Sequence, residues 1–131
     1  MIRHLAVALT LGLGTPVAAL AQEAAAPSAP DSAATYEAAR NQLGILKYCQ
    51  QQGFTGGEAV ATQAQLVDML PEGDEAAGAT AEEKGAAGTV AIGDAELSLA
   101  DASENRGSTV EATCQQIEAA VNEVAPSLQA G

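Results

Sequence analysis

Tryptophan is absent from this sequence, phenylalanine occurs once and tyrosine twice. Without aromatic walls, the paired carboxylates of a glycosidase have no sugar-binding cleft to work in. Histidine is limited to His4, which lies in a segment expected to be removed. Its loss excludes Ser-His-Asp and Cys-His nucleophile systems and histidine-ligated zinc, copper and haem. Basic residues are equally scarce, five against 17 acidic ones. So acidic a chain argues against nucleic acid and against anionic membrane surfaces as partners, since both select basic patches. Long apolar runs are missing as well: Gly12, Gly14 and Pro16 interrupt the first one well short of the roughly 20 residues a spanning helix needs.

What is present at the start reads as an export signal. Arg3 and His4 form a basic beginning, Leu5 to Leu13 an apolar stretch, and Ala19-Leu20-Ala21 the small-residue pattern accepted by signal peptidase. Cleavage is expected after Ala21, with residues 1–21 removed and a periplasmic or secreted location. The next residue, Gln22, gives lipid attachment no acceptor cysteine. Losing Arg3 leaves four basic residues against 17 acidic ones, a net charge of −13. That charge suits a basic partner, cations or plain solubility.

Most of the apolar content is alanine, so the expected core is thin. Large apolar side chains contribute about 1.5 to 3 kcal/mol each on burial, and few are available. A staple is therefore expected, and the two cysteines of the mature chain, Cys49 and Cys114, supply it as a disulfide in an oxidising compartment. For a loop of this length the chain-entropy model gives roughly 4 kcal/mol. A redox-active pair would show C-x-x-C spacing, which is absent.

Residues 22–34 are, after Gln22 and Glu23, only Ala, Pro, Ser and Asp, and read as a disordered leader. A single helical domain is expected over 35–126, with a tail at 127–131. Thr35 is placed to cap a helix reaching about Gln52, with Tyr36, Ala39, Leu43 and Leu46 at helical spacing and Gly53 as its stop. A second helix is predicted from Glu58 to Leu70, ended by Pro71. Residues 71–88 are rich in Ala, Gly and acid without an apolar stripe, and read as a mobile acidic connector. Thr89 to Leu99 alternates around Gly93-Asp94 as a small hairpin. Ser98 and Asp101 open a short helix closed by Gly107. The last helix is predicted from a Ser108 cap, with Val110, Cys114, Ile117, Val121 and Val124 as its stripe and Pro126 as its end. The fold class is thus mainly α: a small domain of about four helices with a short β-hairpin, stapled by one disulfide.

Catalytic chemistry finds little support. Glu82 and Glu83 are adjacent and diverge on a helix. Glu72 to Glu75 and Asp94 to Glu96 lack the twelve-residue calcium-loop pattern, and no glycine-rich phosphate loop follows a strand. No catalytic residue, metal or cofactor is expected. The three aromatics, Tyr36, Tyr48 and Phe54, fall on and just after the first helix, where they would form either a recognition patch or the largest members of the core. The leading expectation is a small exported, non-enzymatic binding or structural protein with a protein partner. One alternative is an acid-responsive periplasmic chaperone, because protonating the carboxylates would carry the mature chain from strongly negative to weakly positive. Small disulfide-bonded helical acid-stress chaperones of the periplasm are similar in size and architecture, a likeness without a shared motif. The other alternative is a membrane-active or pore-forming helical protein, which the charge and the short apolar segments oppose.

Overall fold

A computed structural model describes residues 31–130; the expected signal peptide, and the expected leader up to residue 30, lie outside that range. Among the described residues, five helices and one antiparallel hairpin follow in the order α1 (Ser32–Gln51), α2 (Gly57–Met69), α3 (Glu75–Ala86), β1 (Thr89–Ile92), β2 (Ala95–Ser98), α4 (Leu99–Glu104) and α5 (Val110–Gln129). The structure is 71% helix and carries the Cys49–Cys114 disulfide. The mainly α class, the hairpin and the staple are as expected.

The first helix begins earlier than its pattern suggested. Asp31 caps it, accepting a hydrogen bond from the Ala33 amide at 3.2 Å, so Ser32, Ala33 and Ala34 are helical instead of leader. Alanine is the best helix former, and a preceding Asp is all that this start requires. The helix then runs through the centre of the domain: Leu43, Gly44, Ile45 and Leu46 are buried in succession, which places neighbours on every side. Its end is a Schellman motif. The Phe54 amide donates to the Cys49 carbonyl and the Gly53 amide to the Gln50 carbonyl, both at 3.0 Å, with Gly53 at φ 78°. Phe54 then folds back onto the cluster that contains Cys49, the apolar contact such a cap favours.

The acidic connector expected over 71–88 is largely helix. Asp74 caps α3 by accepting from the Ala77 amide at 2.9 Å, and Glu75 sits in its first turn, where the helix dipole favours an acid. Its buried face is Gly78, Ala81 and Gly85, a stripe of small residues at spacings of three and four. A Cβ at Gly85 would sit 2.2 Å from the Asn41 carbonyl oxygen, and one at Gly44 would sit 2.0 Å from the Glu82 carbonyl oxygen. The backbones of α1 and α3 are thus in direct contact. At Gly78 the missing Cβ makes room for the Tyr36 ring. Dispersion contacts between close backbones hold this helix, not large apolar side chains.

The hairpin pairs Ile92 with Ala95 across the Gly93-Asp94 turn and Thr89 with Ser98 at its open end. Ser98 accepts from the Asp101 amide at 3.0 Å to start α4, as read from sequence. For α5 the cap is Thr109, which accepts from the Ala112 amide at 3.1 Å, and not Ser108. Ser108 is held by the preceding turn, its amide donating to the Ser103 carbonyl. Pro126 does not end α5, which continues to Gln129 and so includes part of the expected tail. The proline ring suits helical φ, and both it and Asn122, whose carbonyl loses its partner, are exposed, so water can satisfy that oxygen.

Two small clusters form the core. Ile45, Leu99 and the disulfide pack with Tyr48, Phe54, Val90 and Val110. Leu46, Ala59 and Val121 form the second cluster, and Ile117 packs against both. Cys49 and Cys114 are fully buried, with their Cα atoms 5.7 Å apart. The close helix crossing makes a sharp prediction. Gly44→Ala and Gly85→Ala should each destabilise the domain by about 2 to 4 kcal/mol in urea titrations, despite alanine's higher helix propensity. Gly53→Ala meets no atom within 4 Å and carries only the left-handed backbone strain, so it should cost about 1 to 2 kcal/mol.

Candidate functional site

A groove of about 420 Å³ opens between α1, β1, α4 and α5. Ile45, Leu99 and Ile117 are its apolar floor, and small residues (Ala38, Ala91, Ala102, Ala120) keep its walls low. Ile92 overhangs one side, 70% exposed despite its size. Polar side chains from Gln42, Gln116 and Arg106 stand along the rim.

Asn41 holds one wall in place. It is only 3% exposed, yet its side chain is satisfied: Nδ2 donates to the carbonyls of Ala81 at 2.9 Å and Thr89 at 3.0 Å, and Oδ1 accepts from the Ala91 amide at 3.1 Å. In a two-residue hairpin the residues flanking the turn bond to each other, so the alternate residues Ala91 and Thr89 turn their backbone groups outward. The Asn41 amide meets both of them as a neighbouring strand would. It thereby occupies the outer edge of β1 and ties the hairpin to α1 and α3. On the other side, the Ser103 hydroxyl donates to the Leu99 carbonyl at 2.7 Å and lies 2.8 Å from the Thr113 hydroxyl, joining α4 to α5.

Of the three aromatic residues singled out from sequence, Tyr48 and Phe54 are brought to one cluster and Tyr36 is not. Tyr36 is buried near the start of α1 against Gly73 and Gly78, with Arg40 Nη1 donating to its hydroxyl at 3.0 Å. Tyr48 and Phe54 pack on the disulfide cluster at the other end of that helix, three turns away. Tyr36 thus lies apart from Tyr48 and Phe54, because a helix of this length separates its ends; Tyr36 is buried, and the other two are partly buried against the disulfide cluster. The disulfide lies beneath the groove in the cluster that includes Ile45 and Leu99, and so fixes its floor.

Carboxylates are spread out. Glu82 is engaged by Arg40 at 2.7 Å and by Lys47, while Glu83 is exposed, the divergence expected of helix neighbours. Glu96 pairs with Lys84. Glu118 reaches from α5 to accept the Gly56 amide at 2.9 Å, supporting the start of α2. Among the described residues no three His, Cys, Asp or Glu side chains are grouped as a metal site requires. Sequence reading missed Asn41 and Arg106. The signal for Asn41 was an amide within an apolar helical stripe; Arg106 stands in the short α4–α5 turn with no pattern to mark it.

Because three backbone groups depend on one side chain, Asn41→Ala should destabilise the domain by about 2 to 4 kcal/mol. Hydrogen exchange checks the cause: the Ala91 amide should lose protection more than the amides at the centre of α5. Compared with protein-family models, with curated proteins and with solved structures, the chain matches none of them.

Proposed function

We propose that the protein is an exported binding domain without catalytic chemistry, which holds a segment of a partner protein in the groove between α1, β1, α4 and α5. The observation that carries this reading is the groove itself, an apolar floor left open with an exposed isoleucine at its lip. Its volume of about 420 Å³ falls in the range of ligand sites, and Ile92 adds an exposed apolar side chain at its edge. The export pattern at residues 1–21 and the buried disulfide agree on an oxidising compartment. Net acidity opposes nucleic acid and anionic lipid as occupants. No helix among the described residues is long and apolar enough to cross a membrane.

Selection from a library of short peptides blocked at both ends tests the reading. Selected peptides should shift the amide resonances of Ala91, Ile92 and Ile117, and Ala120→Trp, which fills the groove, should weaken them about tenfold or more. Peptides that shift only residues remote from the groove, or that bind Ala120→Trp unchanged, would remove the basis for this function.

One observation favours a second reading, the acid-responsive chaperone. Glu82 alone links α3 to both Arg40 and Lys47 of α1, and α3 buries no large apolar side chain. Strong acid, which neutralises carboxylates, removes both ion pairs and leaves α3 held by its backbone contacts with α1, so α3 should loosen before the disulfide-tied remainder. Circular dichroism near pH 2 to 3 should then show partial helix loss, together with protection of an aggregating client protein. Unchanged helicity, or loss of helix without protection, counts against the chaperone reading.

A further inference from the structure

Four basic residues fall among the described residues, and three are spent within the fold. Arg40 and Lys47 both pair with Glu82, and Lys84 pairs with Glu96. Arg106 alone among them forms no ion pair, although the surrounding chain is strongly acidic. It stands exposed on the rim of the groove and also borders a shallower hollow of about 240 Å³ beneath Ile92 and Leu97. An unpaired cation beside an apolar cleft specifies a ligand with an apolar body and one negative charge. Polyanions are disfavoured by the net charge of the protein, and a cationic head would meet Arg106 directly.

We infer that the groove receives the C-terminus of a partner chain, with its last side chain on the floor of Ile45, Leu99 and Ile117 and its free carboxylate on Arg106. The inference rests on the groove being the binding surface. A guanidinium can engage a carboxylate through two parallel N–H donors, and an apolar ligand covering the cleft shields that pair from water. The rim favours a peptide over a hydrocarbon tail. Gln116 offers an amide donor and acceptor that main-chain groups can meet, whereas an alkyl chain would cover it without a partner; Gln42, whose Nε2 donates to Gln63 Oε1 at 3.5 Å, adds its carbonyl oxygen as a further acceptor.

The probes are acetylated tripeptides, Ala-Ala-Leu and Ala-Ala-Ile, each as the free acid and as the C-terminal amide, with octanoate as the lipid arm. Each is titrated into the isotopically labelled disulfide-bonded protein and followed by NMR. The free acids should shift groove resonances and bind about tenfold more tightly than the amides, a gap that Arg106→Gln should close by weakening only the acids. Arg106→Lys should restore part of the gap, because it keeps the charge but loses the fork. The melting temperature of Arg106→Gln should stay near that of the parent, since the side chain makes no internal contact that the fold requires.

Equal binding of acid and amide overturns the carboxylate assignment while leaving the groove as the binding surface. Octanoate binding without peptide binding overturns it in favour of a lipid occupant. If the acids fail while doubly blocked library peptides still occupy the groove, only the C-terminal assignment falls; if neither occupies it, the binding function falls too.

Discussion

The direct contact of α1 and α3 through Gly44 and Gly85 is the constraint on which the rest of the structure depends. Neither helix could approach so closely with a Cβ at either position, since each would meet a backbone atom that cannot move aside. Glycine within a helix costs roughly 1 kcal/mol relative to alanine, so both positions oppose helix formation locally. The compensation is tertiary. Close approach brings the Ala81 carbonyl within reach of Asn41, and the chain leaving α3 then delivers Thr89 and Ala91 to the same side chain. The hairpin, and with it one wall of the groove, is positioned by a crossing that buries almost no large side chain.

The disulfide performs the complementary task on the opposite side of α1. It joins the central helix to α5 across a sequence separation of 65 residues, while the glycine pair joins α1 to α3. A core of so few large residues would leave both junctions loose. With both fixed, the spacing between β1 and α5 across the groove is set by covalent and backbone contacts, and the floor residues Ile45, Leu99 and Ile117 fill the gap that remains. An open cleft in so small a domain needs rigid sides, because its lining gives up contacts that a closed core would make.

Much of this fold was legible in the sequence where local chemistry decides. Gly93-Asp94 between alternating runs fixed the hairpin register, Gly53 and Pro71 bounded the first two helices, and Ser98 with Asp101 began α4. Helix α3 was not legible, because its buried face is made of residues that carry no hydrophobic signal and that single-helix reasoning takes as breakers. Its stripe becomes visible only when Gly44 is placed opposite it. Pro126 misled for the related reason that its helix penalty was judged without knowing that the Asn122 carbonyl faces water. The candidate site was the least legible part. Its floor residues carried only helical-stripe or hairpin patterning, Asn41 drew no notice as one amide among apolar neighbours, and the three aromatics drew attention by rarity although they lie at two ends of α1.

Charge placement follows from the same scarcity of apolar side chains. Ion pairs at a protein surface contribute little, about 0 to 1 kcal/mol each when exposed, yet three of the cations available to an acidic chain gather at α3: Arg40 and Lys47 on the half-buried Glu82, and Lys84 on the exposed Glu96 of β2. The helix with the weakest hydrophobic anchor thus carries all the ion pairs among the described residues. Elsewhere the like charges of α2, α4 and α5 have no cation to offset them, and water and salt must screen them. Holding α3 therefore uses the positive charge that would otherwise balance the surface. Arg106 is the one cation among the described residues left outside that arrangement, and it stands on the rim of a groove whose lining contains no carboxylate.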